Sequence, residues 1–200
     1  MTTWDTATER LLALATAALD DGLPPAPTLA AYAGDEGLAI VGLRPFAPHE
    51  LTGPLVELAA LLLPLGADRF VLALPGRAWS IDDPVPPVVE DVDLRHTVLT
   101  VLEIDGHGPG EPRCDGTIHP YGRGADGVAR FEDPVPVGWP EGPSADALRL
   151  LVARRAVTFD PDPDPAQVVV QFARCLLRGH QVVLAPAVAD HLEALTAATP

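Results

Sequence analysis

Residues Glu103 to Pro120, EIDGHGPGEPRCDGTIHP, hold two histidines, a cysteine and four carboxylates within a single short stretch. These are the side chains that ligate transition metals and that exchange protons near neutral pH. A zinc ion needs three or four of them converging at ~2.0–2.3 Å. The candidates are Asp105, His107, Cys114 and His119, with Asp93 and His96 available from the segment before. Asp105 and His107 are two positions apart and share a face if a strand continues through them. The following GPGEP can turn the chain and bring Cys114 and His119 up on a neighbouring strand. Such a set, with Glu103 or Asp105 as general base, would serve a metal-dependent hydrolase.

Two features weigh against that chemistry. The spacings match no established ligand pattern, and Cys114 and His119, five positions apart, face opposite ways on an unbroken strand. Turn formation alone accounts for the glycines and prolines. The stretch is therefore expected to be a decorated pair of strands with solvent-facing polar groups, and no cofactor is expected.

Nucleophilic chemistry has few residues to work with. The only serines are Ser80 and Ser144, neither in a GxSxG elbow, and Ser144 suits a helix cap. Cys175 lies among Phe172, Leu176 and Leu177 in a helical pattern, as a small buried hydrophobe does. Cys114 has Arg113 beside it to lower its pKa and Asp115 to raise it. His49, His180 and His191 read as surface or capping residues, and Trp4, Trp79 and Trp139 as core or subunit-contact anchors.

The charge balance narrows the partners. Thirteen basic groups against 28 acidic ones leave a net charge of -15, which repels phosphate backbones and anionic lipid alike, so neither nucleic acid nor membrane is an expected partner. All thirteen cations are arginine, and the chain has no lysine and no asparagine. That bias is expected of a GC-rich, actinobacterial-type genome. It also excludes phosphate-loop, Schiff-base and kinase-type lysines. The two cysteines show no paired spacing, no signal sequence precedes MTTWDTATER, and the apolar runs fall short of the ~20 residues of a membrane span. A cytoplasmic protein with free thiols is expected.

The elements that must position these residues follow from hydrophobic period. Residues 4–22 predict an amphipathic helix, with Thr6 and Glu9 in a capping-box pattern and Gly22 as the stop. Residues 28–46 predict a β-hairpin about GDEG, and 49–66 a buried helix with Pro54 in its first turns and Pro64 near its end. Strands are expected at 68–81 and 95–105, joined by the proline-rich loop DDPVPPVVEDVD, and again at 114–122 and 127–139. Helices follow at 143–156 and 165–179, then a short strand QVVLAP and a last helix through 187–198. DPDPDPAQ, residues 160–167, reads as a charged lead into the helix and not as a calcium loop, because alternating prolines hold it extended.

This order lacks βαβ alternation and predicts a single α+β domain over residues 1–200 with a mainly antiparallel sheet. The expected function is non-catalytic, through contacts with a protein partner or as a homo-oligomer. The alternative is the hydrolase built on Asp105, His107, Cys114 and His119.

Overall fold

The computed structural model describes residues 3–47, 49–79, 88–89, 92–93, 95–108, 111–137, 142–158 and 164–197. A single 3-10 turn at Trp4–Thr6 leads into α1 (Ala7–Asp20), followed by β1 (Thr28–Ala33), β2 (Glu36–Gly42) and α2 (Thr52–Leu62). Next come β3 (Arg69–Ala78), β4 (Val88–Val89), β5 (Val92–Asp93), β6 (His96–Asp105), β7 (Arg113–Arg123), β8 (Ala129–Phe131) and β9 (Val135–Val137). The chain ends in α3 (Pro143–Thr158), α4 (Pro165–Leu177), β10 (Gln181–Leu184) and α5 (Pro186–Ala197). Seven strands lie side by side in the order β10-β2-β1-β3-β6-β7-β8, with β9 adding to another part of β7. The pairings within this sheet are antiparallel, giving the α+β fold that the sequence predicts.

The period of two sorts the strand residues onto two apolar faces. Leu29, Ala31, Phe70, Leu72, Leu102 and Ile104 point to one side and pack with residues of α2, α3, α4 and α5. Their neighbours Ala30, Tyr32, Val71, Ala73, Leu99 and Val101 point to the other and pack against Ala7, Leu11 and Ala15 of α1. Full burial of a side chain such as Phe70 or Leu72 contributes roughly 1.5–3 kcal/mol, so both faces drive the fold. Thr8 of α1 also donates to the Glu103 carboxylate of β6, which fixes the helix along the sheet.

Local stops act as the sequence indicates. Gly22 (φ +77) ends α1 with paired bonds, Gly22 N–H to Leu19 O and Leu23 N–H to Ala18 O. Gly34 (φ +55) supplies the left-handed residue of the two-residue turn between β1 and β2. Pro75, with no N–H to give, falls where β3 has outrun β1 and pairs only with β6.

Three expectations are corrected. The Thr6 hydroxyl donates back to Thr3 O and makes no cap bond to α1, so the capping box does not form. The connector expected to be a loop contains a small hairpin, β4 against β5, while 82–87, 90 and 91 lie outside the described residues. Ser144 sits inside the first turn of α3, which starts at Pro143, so it is not the cap. Asp164 does cap α4, its carboxylate accepting from Ala166 N–H, but residues 160–163 of the acidic run are outside the described residues, as are Ser80 and Trp139.

The largest departure is His180, expected at the surface and in fact buried, with its side chain fully inaccessible. Its Nδ1 accepts from Arg44 N–H at 3.3 Å, which puts the proton on Nε2, and Nε2 donates to Glu57 at 3.0 Å. Arg44 grips the same carboxylate through Nε and Nη2, both at 3.0 Å. This knot ties the chain after β2 to α2 and to the end of α4. Hydrogen bonding from Arg44, reinforced by His180, outweighs burial and lowers the Glu57 pKa from 4.5 to about 2.

A carboxyl whose folded pKa is depressed adds stability that is complete above its unfolded pKa and is lost as pH falls through the folded one. Glu57→Gln should therefore cost on the order of 1–2 kcal/mol at neutral pH, after allowance for solvent screening. In urea titrations the deficit should shrink as pH falls from 4.5 towards 2. A deficit that stays constant over that range would contradict this account of the knot.

Candidate functional site

Of the sequence-predicted site residues, Asp105 and His107 are brought together at the end of β6. Asp105 takes a two-pronged bond from Arg69 (2.8 and 3.1 Å) and also accepts from His107 N–H at 2.9 Å. Burial raises the Asp105 pKa, but the Arg69 and His107 bonds outweigh it and the net shift is downward. Arg69 extends to Asp35 in the β1–β2 turn and lies over the Trp4 ring at 5.3 Å. His107 Nδ1 meets Asp68 Oδ2 at 2.7 Å, and Asp68 also accepts from Gly34 N–H at 2.8 Å. Asp68 is almost fully buried, with Arg155 of α3 at 3.7 Å, whereas 55% of the His107 side chain is exposed.

Close packing fixes this corner. A Cβ on Gly106 would lie 2.4 Å from Val152 Cγ1 and 2.9 Å from Asp68 O, so only glycine lets β6 close against α3 there. The outcome is a half-exposed imidazole oriented by a buried carboxylate. That is the base-and-orienter half of a nucleophilic triad. Ser144, the one described serine, lies elsewhere, on a cavity of about 510 Å³ with Arg44, Phe46 and Leu51.

Cys114 and His119 do not join this corner. Unbroken β7 sends them to opposite faces: Cys114, opposite Ile104, enters the core beneath the α2–α5 layer, and His119, opposite Leu99, faces the α1 side against Phe131. Both are buried, which corrects the expectation of solvent-facing groups. Burial pushes the Cys114 thiol up, against the pull of Arg149, the reverse of what a reactive thiolate needs. Burial lowers the His119 pKa, and its Nε2 has no hydrogen-bond partner among the described residues. Among the described residues no three His, Cys, Asp or Glu side chains gather as metal ligands would. Glu103, the other proposed base, is committed to Thr8.

A second feature, which motif reasoning missed, lies at the far end of the sheet. There, among the described residues, β10 pairs only with β2, at Gln181↔Gly42, Val182↔Val41, Val183↔Ile40 and Leu184↔Ala39. Ala185 N–H donates to Leu38 O at 2.8 Å in the same register, so Gln181 and Val183 carry the bonds to β2. By alternation the N–H and C=O of Val182 and Leu184 point to the outer edge. Val182 and Leu184 side chains pack on the α2–α5 core, while Val183 is 65% exposed on the α1 side.

α1 stops short of this edge and leaves a groove. One part, about 230 Å³, runs between Leu11, Leu14 and Ala18 of α1 and Ile40 and Val183 of the sheet. A continuous part of about 390 Å³ shares Ile40 and Val183 and reaches Arg10, Tyr32 and Pro186. Half-exposed Leu14 rims it. The sequence signal was QVVLAPAVA, residues 181–189, in which no side chain is ionisable.

The chain matches no family model, no curated protein and no solved structure. Among the described residues no helix is long and apolar enough to cross a membrane.

Asp68 is the residue on which the histidine corner turns. Asp68→Ala should leave Gly34 N–H and His107 Nδ1 without their acceptor and cost about 3 kcal/mol. Urea denaturation checks this through a lower midpoint at unchanged slope. An unchanged midpoint would mean that the corner is not held by this carboxylate.

Proposed function

We propose that this chain acts through protein contacts, and that the contact surface is the β2–β10 end of the sheet together with the groove beside α1. One observation carries the reading: β10 is a sheet edge with outward backbone groups at Val182 and Leu184, beside an exposed apolar Val183 and with no charge, proline or bulge in its four residues. Edges that are to stay single usually carry such guards. An unguarded one is the template on which a partner strand adds, with the groove receiving side chains from one face. Two buried thiols, Cys114 and Cys175, fit a reducing compartment such as the cytoplasm.

The hydrolase alternative draws support from one feature, the orientation of His107 by Asp68. It lacks a converging nucleophile or metal set among the described residues. The contact reading is the stronger.

A photo-crosslinking amino acid in place of Val183, in cells that make the protein naturally, tests it. A covalent adduct of protein size is expected there and not with the same probe at Glu132, exposed near the opposite edge. No adduct from position 183 would refute the proposed surface.

A further inference from the structure

The geometry points to a second copy of this chain as the occupant of the edge: β10 pairs with β10 of its partner about a two-fold axis through Val183. The inference rests on the contact reading above and names its partner.

The hydrogen-bond register restricts how any strand can add. The outward groups belong to Val182 and Leu184, so only those residues can form the bonded pairs of a new antiparallel ladder. Two copies satisfy each other in one arrangement, Val182 opposite Leu184 of the partner and Leu184 opposite Val182 of the partner. That makes four N–H to C=O bonds, two from each copy. Between them Val183 meets Val183 of the partner at a non-bonded position, where side chains on facing strands approach most closely. Each is a 65% exposed valine on the α1 side, so the contact is apolar on apolar, and each copy extends the wall of the other's groove.

Charge does not oppose the same occupant at this edge. A chain of net charge -15 repels its own copies over most approaches. Residues 181–189 place no ionisable group at the axis, so two copies meet there without like charges facing one another. The two-fold pairing is isologous and closes, leaving neither edge for a third copy.

The register gives a sharp test. Opposed Cα atoms at a non-bonded antiparallel pair stand ~4.5 Å apart, within disulfide range, and residues offset by two positions do not. Val183→Cys should therefore form a disulfide-linked dimer under mild oxidation, and Val182→Cys should not; native Cys114 and Cys175 are buried and do not compete. In sedimentation equilibrium the unmodified protein should reach twice 21.0 kDa. Val182→Pro, which deletes an outward N–H and no bond to β2, should weaken association at least tenfold with the circular dichroism unchanged. Val183→Glu, which sets like charges on the axis but keeps every backbone group, should do the same and serves if the proline variant does not fold. A 21.0 kDa mass at all concentrations, or a dimer that Val183→Cys fails to link, overturns the inference. The photo-crosslink separates the two claims: an adduct of another mass sinks self-pairing but keeps the contact reading, and no adduct sinks both.

Discussion

An antiparallel sheet that is apolar on both faces has to be covered on both, and here the cover is unequal. Seven strands side by side span roughly 29 Å at the usual strand spacing. The α2–α5 layer covers one face, built from Leu58, Leu61 and Leu62 of α2 and their counterparts in the later helices. Among the described residues the one helix on the other face is α1, fourteen residues and so ~21 Å long by ~10 Å wide. It packs on β1, β3 and β6 and leaves Ile40 only half-buried and Val183 exposed at the β2–β10 end. The groove and the exposed valine follow from that shortfall.

Ionic knots hold the layers in register. Asp68 joins the β1–β2 turn, the segment after β6 and α3, while Glu57 joins the chain after β2, α2 and the end of α4. Each buries one carboxylate against several donors, which is how a buried charge is tolerated. The oriented His107 is a by-product of the first knot, since Asp68 is needed there for Gly34 whether or not the imidazole does chemistry.

Much of the fold was legible because period and punctuation agree. Leu11, Ala15 and Leu19 mark the buried face of α1, Gly22 marks its end, and Pro165 marks the start of α4. The opposite-face argument for Cys114 and His119 needed only the pleat. What local pattern could not supply was tertiary: that both residues lie on covered faces, that His180 is sealed against Glu57, and that Asp68, an unremarked residue ahead of β3, captures His107 thirty-nine positions on. The edge was hidden for a related reason. QVVLAP announces a strand, but its place at the end of the sheet depends on pairing with β2, some 140 residues earlier.

Residue-resolved amide exchange of β10 is the most direct test of the central claim, that Val182 and Leu184 complete their hydrogen bonds on another chain. In concentrated solution the account predicts that the Val182 and Leu184 amides become as protected as that of Val183, and that dilution releases the first two alone. Rapid exchange at Val182 and Leu184 at every concentration, with Val183 protected throughout, would contradict it and leave β10 as a solvated edge.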